Sequence, residues 1–251
     1  MAQSRIPGGI ARPHAIGFTR NAIDGLGISY VGADEIQIAT GICRDGNDSQ
    51  NIELIATQNV ELDNGTGINK LDTGTAANDT FYSVWVVSGA SGTGGLLSTH
   101  ATTPTLPAGY DVSRRRIGWV RNDAAGNLYN FIQHGVGRSR IYDWKKDKTD
   151  DLTALSNGSA ASWTDIALGA WVPSTSSNAY CHFLASAGSN WVEFRPDGWD
   201  AGFENTVSVR NDAARGQVCW IRCPGQIIEY YRGSDASSRG YLFVLGFEDL
   251  I

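Results

Sequence analysis

Tyr241-Leu-Phe-Val-Leu-Gly-Phe247 is an apolar run that closes a series of short segments beginning at Trp163. Working back from it, strand-like segments fall at residues 163–172, 179–185, 191–195, 206–209, 217–222 and 226–232. Clusters of Gly, Pro, Asn, Asp and Ser separate them. Short strands at this spacing, with turn chemistry between each pair, are the pattern of a β-sandwich or barrel. The segment series carries no catalytic motif, which directs attention to binding and structural roles.

The rest of the 251-residue chain agrees. Glycine is abundant, at 30 residues, and only 18% of residues are charged, so runs of helix formers are nearly absent. The net charge of −6 argues against sequence-independent nucleic-acid binding, which needs a basic face. No signal-like apolar stretch follows Arg5 and Arg12, and no run is long enough for a bilayer. Synthesis in a cytoplasm and no membrane insertion are therefore expected.

Before the closing series, strands are expected at 27–31, 35–43, 51–56, 81–87, 96–101, 114–120, 128–133 and 138–144. Glu35-Ile-Gln-Ile-Ala39 and Asn51-Ile-Glu-Leu54 alternate, so each buries one face. Arg44-Asp-Gly-Asn-Asp-Ser49 reads as a hairpin turn, and residues 63–79 and 88–95 as loops. Residues 1–24, rich in Gly, Pro and Arg, read as an attachment arm or a loosely ordered tail. Lys145-Lys-Asp-Lys-Thr-Asp-Asp151 lacks apolar residues and is the best linker in the chain. The expected fold is thus all-β: an arm at 1–24, a first β-sandwich module at 25–150, and a jelly-roll-like sandwich at 151–251. Val120-Arg-Asn-Asp-Ala-Ala125 recurs as Val209-Arg-Asn-Asp-Ala-Ala214. The flanks differ, which favours convergence on good turn residues over duplication.

Several of these segments carry a resemblance. Phe81-Tyr-Ser-Val-Trp-Val86, Leu97-Ser-Thr-His-Ala-Thr-Thr-Pro-Thr-Leu-Pro-Ala-Gly-Tyr110 and Arg114-Arg-Arg-Ile-Gly-Trp-Val120, with Gly126-Asn-Leu after them, resemble a recurrent segment of tailed-bacteriophage tail fibres and related virion proteins. Trp171-Val-Pro173, Phe194-Arg-Pro-Asp-Gly198, Gln226-Ile-Ile-Glu-Tyr230 and Val244-Leu-Gly-Phe-Glu-Asp249 are similar to their C-terminal modules. The resemblance implies a fibre or spike protein on a phage-like particle, head-attached fibres and gene transfer agents included. It implies adhesion to host surface polysaccharide, attachment to other virion proteins through the arm, and a homotrimer. A purely structural connector and, further off, a polysaccharide-degrading enzyme are the alternatives.

Residues that carry chemistry are few. His14, His100, His134 and His182 form no HxH or HExxH pair, and no nucleophile elbow or P-loop is present. Cys43, Cys181, Cys219 and Cys223 match no zinc spacing and read as buried, reduced thiols. Asp45, Asn47 and Asp48 lack the calcium-loop pattern and read as turn residues. No cofactor, metal or catalytic residue is expected; Asp197, Asp200 and Glu204 are the loop carboxylates a glycosidase would draw on. The strongest ligand candidate is Arg195-Pro-Asp-Gly-Trp-Asp200. There Asp197-Gly198 forces a turn and sets Trp199 at its tip, where an indole stacks on a sugar or packs back on the protein. Arg195, Asp197 and Asp200 would serve the hydroxyls. Tyr230, Tyr231 and Arg232 form a second candidate, with the two tyrosines on opposite faces of one strand.

Overall fold

The computed structural model describes residues 20–62, 64–135, 137–147, 151–186, 191–199, 206–210, 216–234 and 236–251. Within them the chain is all-β and its sheets are antiparallel; a single 3₁₀ turn, Pro224–Gln226, interrupts them. Among the described residues no helix is long and apolar enough to cross a membrane.

The first strands are β1 (Ile23–Gly25), β2 (Ile28–Tyr30), β3 (Glu35–Ile38), β4 (Gly41–Arg44), β5 (Asn51–Leu54), β6 (Gln58–Glu61), β7 (Phe81–Gly89), β8 (Gly92–Ser98) and β9 (Ser113–Arg121). They make three three-stranded sheets, ordered β1-β4-β5, β2-β3-β6 and β8-β7-β9. The alternation of Asn51-Ile-Glu-Leu54 is obeyed: Ile52 and Leu54 are buried while Asn51 and Glu53 are exposed. The single strand expected over 35–43 is two strands, β3 and β4, broken at Ala39–Thr40. Gly41 has no room for a side chain there, because a Cβ would lie 2.4 Å from the carbonyl oxygen of Asp24. Residues 88–95, read as a loop, are instead the tip and flanks of the β7–β8 hairpin.

The remaining strands are β10 (Phe131–His134), β11 (Ser139–Trp144), β12 (Thr153–Gly158), β13 (Thr164–Ala167), β14 (Asn178–Ser186), β15 (Trp191–Pro196), β16 (Val207–Arg210), β17 (Gln217–Arg222), β18 (Ile227–Tyr231) and β19 (Arg239–Leu250). A six-stranded sheet runs β10-β11-β19-β14-β17, with β12 also on β19, and a four-stranded sheet runs β13-β18-β15-β16. Their apolar faces meet: the ring of Phe183 on β14 lies 4.8 Å from that of Phe194 on β15. This sandwich-like pair explains the alternating burial of β14 and β15.

Two expected boundaries need correction. β11 pairs with β19 from Ser139↔Leu250 to Asp143↔Gly246, so one sheet crosses the division drawn near 150. The aromatic packing crosses it too, with Tyr142 stacked on Phe247 at 4.5 Å. The run 145–151 therefore does not divide two separate modules; among its described residues, Lys146 bridges Asp123 at 3.5 Å and Asp151 at 3.3 Å. Part of the arm also belongs to the fold. β1 pairs with β4, Ile23 is 6% exposed, and the Asn21 amide donates to Asp48 at 3.0 Å. Residues 1–19 lie outside the described residues.

Candidate functional site

β15 ends at Pro196, and the Trp199 amide donates to the Pro196 carbonyl at 3.4 Å, closing a tight turn. Gly198 takes a φ of +70° in that turn, a conformation that favours glycine. The turn expected from Asp197-Gly198 is therefore present, but it does not project Trp199 into solvent. Gly198 is the exposed residue and Trp199 is half-buried. Its ring lies against Arg222, with the guanidinium carbon 5.8 Å from the ring centre.

This folding-back makes a cleft. Pro196, Trp199, Thr206, Val207, Trp220 and Arg222 line a space of about 280 Å³. Topology places it: β16 and β17 are the terminal strands of the two facing sheets, and residues of both line the cleft. The β15 turn drops Trp199 into that opening. From the other side β17 directs Val218, Trp220 and Arg222 outward, while Ile221 points into the core. Trp220 is 43% exposed and its ring packs on Tyr180, its cross-strand partner, at 5.0 Å. Two indoles and one guanidinium thus line one cleft, with Thr206 beside them. That set offers apolar stacking surface beside hydrogen-bond donors.

The other expected ligand residues go elsewhere. Arg195 lies on the outer face of the four-stranded sheet, where its Nε donates to Glu229 at 2.7 Å and its guanidinium covers the Trp163 ring at 4.0 Å. Asp197 joins Asp165 and Glu229 there, with carboxylate oxygens within 4.8 Å of one another. The two tyrosines do take opposite faces. Tyr230 is 7% exposed and packs on Phe194, whereas half-buried Tyr231 sits against Trp163 at 5.7 Å. The Arg232 amide bonds the Ala160 carbonyl at 3.0 Å. Asp200 and Glu204 lie outside the described residues. Trp199 therefore lies against Arg222 and shares its cleft with Trp220, while Arg195 and the tyrosines make their contacts elsewhere.

Outside the cleft, polar groups serve the fold. Asp45 is buried and accepts from the Ser49 amide at 2.6 Å, the Gln50 amide at 3.0 Å and the Ser49 hydroxyl at 2.7 Å. Burial opposes its charge, but these bonds outweigh burial and hold its carboxyl below the ordinary range. Asp48 pairs with Arg44 at 3.0 Å and Arg20 at 3.4 Å. Both carboxylates are thus committed to the 44–50 turn. Cys43, Cys181 and Cys223 are buried and Cys219 half-buried, all as free thiols. Burial pushes Cys43 and Cys223 up to about 12, far from the reactive thiolate form.

Trp220, Arg222 and Tyr180 were not singled out in the sequence. A signal for Trp220 was present: Gln217-Val-Cys-Trp-Ile-Arg222 puts apolar residues on both faces of one strand, so one face had to expose an aromatic ring. No model of a known family matches the chain, and no curated protein matches it.

Proposed function

We propose that the chain is an adhesion module of a phage-like particle and that it holds a host-surface glycan in the cleft between Trp199 and Trp220. The observation that carries this reading is the convergence of two indoles and Arg222 on one open cleft of about 280 Å³. Sugar rings present an apolar C–H face to an indole and hydroxyls to a guanidinium. The space is at the small end of ligand sites, which suits a short stretch of saccharide held weakly. A trimer would raise such affinity by about 10²–10⁴ through multivalency. The virion context rests on the resemblance of segments such as Phe194-Arg-Pro-Asp-Gly198 to tail-fibre modules. Binding is preferred to hydrolysis because Asp165, Asp197 and Glu229 crowd within 4.8 Å, with Glu229 held by Arg195. A glycosidase separates its two carboxyls by about 5–10 Å around the scissile bond.

The test is a glycan screen with the full chain, repeated with Trp199→Ala and Trp220→Ala. Each variant should lose at least about tenfold in binding to whichever polysaccharide is retained, a loss of about 1.4 kcal/mol. Trp199→Ala should also cost about 1 kcal/mol of stability, since the ring is half-buried. Unchanged binding in both variants sinks the reading. Release of reducing ends from purified capsule would replace it with hydrolysis.

A second reading, a structural connector, draws on a different feature. Val218 and Trp220, 45% and 43% exposed, share the outer face of the edge strand β17. Exposed apolar residues on an edge strand suit a subunit contact. Light scattering of the full chain and of Val218→Lys decides between them: if the substitution dissociates a trimer, this face is the contact and not a glycan site.

A further inference from the structure

A second cleft, distinct from the Trp199 site, opens along β9. It encloses about 300 Å³, and its wall includes the consecutive residues Arg114, Arg115 and Arg116. Side chains on a strand alternate between faces, so consecutive residues line one cleft only along a strand's edge. β9 is the last strand of the β8-β7-β9 sheet, and the wall follows its outer edge, where the Arg114 carbonyl accepts from the Gly46 amide at 2.8 Å.

The charges in the wall are unevenly answered. Arg116 is paired with the buried carboxylate of Asp249. Arg115 is 7% exposed, yet its one hydrogen bond goes to the neutral side chain of Asn21 at 3.2 Å. Burial pushes the Arg115 guanidinium below its ordinary value; the Cys43 thiol and the Asp48 carboxylate oppose this, while Arg138 and Arg116 add to it. The Arg114 guanidinium has no ion pair or hydrogen bond among the described residues. The acid in the wall, Asp45, is already engaged by the amides of Ser49 and Gln50. In a chain of net charge −6, this cleft is a local excess of guanidinium. A nearly buried cation whose hydrogen bond goes to a neutral side chain, and which Asp48 answers only through space, is costly, and an incoming oxyanion would relieve that cost.

The rim distinguishes the source of that oxyanion. Trp85 lines the cleft but is 5% exposed, with its Nε1 donating to Ser83 at 2.7 Å, so it offers a sugar no stacking platform. Val112 and Leu250 line the same cleft and are 57% and 60% exposed. Guanidinium at the wall and aliphatic groups at the rim match a segment that alternates acidic and aliphatic side chains. We propose that the cleft along β9 binds an acidic peptide segment of a partner protein, with its carboxylate on Arg114 and Arg115 and its aliphatic neighbours on Val112 and Leu250.

The experiment uses the full chain and a fluorescein-labelled peptide of alternating Glu and Leu, followed by anisotropy. Binding is expected, falling as salt rises. A matched Lys–Leu peptide should not bind. Arg114→Glu should weaken the Glu–Leu peptide at least about tenfold, and Arg114→Gln should weaken it less. Leu250→Ser, at an exposed position, should also weaken it while leaving the melting temperature in place. The proposal fails if the Glu–Leu peptide does not bind, or if a correctly folded Arg114→Glu variant binds it as well as the parent. It also fails if oligogalacturonate or inorganic phosphate displaces the peptide at equal concentration of charge, which would make this a general oxyanion or saccharide site.

Discussion

Truncating Asp249 to Ala is the sharpest test of how the two halves of the chain hold together. Asp249 is fully buried on β19, and it pairs with Arg116 of β9, a side chain 13% exposed. Its other oxygen accepts from the Thr175 hydroxyl at 2.8 Å, and Thr175 in turn accepts from the Trp119 indole N–H at 2.9 Å. Removing the carboxylate leaves Arg116 uncompensated, worth about 3–5 kcal/mol. It also strips the Thr175 hydroxyl of its acceptor, worth about 1 kcal/mol more. A total near 4–6 kcal/mol is a large share of the roughly 5–15 kcal/mol that stabilises a folded domain. Asp249→Asn keeps an acceptor for Thr175 and loses only the charge, so it should cost about half as much. Urea denaturation followed by tryptophan fluorescence and by circular dichroism measures both. The midpoint should fall in the order parent, Asn, Ala, and the two probes should report one transition, because β11 and β19 share a sheet. A cost below about 1 kcal/mol for Asp249→Ala would put the pair in the class of surface bridges and refute the network. Two separate transitions in the parent would refute the single body.

Three further outcomes are expected. Gly118→Ala should cost about 2–3 kcal/mol, because its Cβ would fall 1.9 Å from the Tyr142 hydroxyl; adding Tyr142→Phe should recover part of the loss in the same denaturation assay. The carboxyls of Asp45 and Asp123 sit below their ordinary value of 3.8, each against the opposing effect of burial and through hydrogen bonds from backbone amides. Their contribution is therefore complete above that value and is lost as pH falls through the lower folded values, so the urea midpoint should decline below about pH 4 and decline less in Asp45→Asn. Deleting residues 1–25 removes the strand that carries buried Ile23 and should lower the melting temperature by several degrees.

The all-β class and the strands β14, β15, β17 and β18 were legible because period-two burial and turn residues are local signals. The same locality explains what was hidden. Ser91-Gly-Thr-Gly-Gly95 reads as a loop because glycine has poor strand propensity, yet Gly94 and Gly95 lie in β8. A Cβ on Gly94 would meet Ile68 at 2.7 Å, and one on Gly95 would meet Val60 at 2.4 Å. The glycines are there to admit side chains from elsewhere in the chain, a reason no local window contains. β12 was given no strand in the sequence reading because it is polar and short of strand formers; it is half-exposed and pairs irregularly, with register shifts along β19. The site follows the same rule. Trp199 stood out because an indole beside a forced turn needs a partner. Which partner it takes depends on β17 reaching the open edge of the opposite sheet, through pairings such as Cys181↔Cys219 that join distant segments. The sequence could therefore nominate the indole but not Trp220 and Arg222, since residues of β15, β16 and β17 come to line one cleft only once both sheets have formed. The shape of this cleft is accordingly a property of the sheet packing, and on the proposed reading substitutions on the β14–β17 ladder should alter glycan binding without touching the glycan.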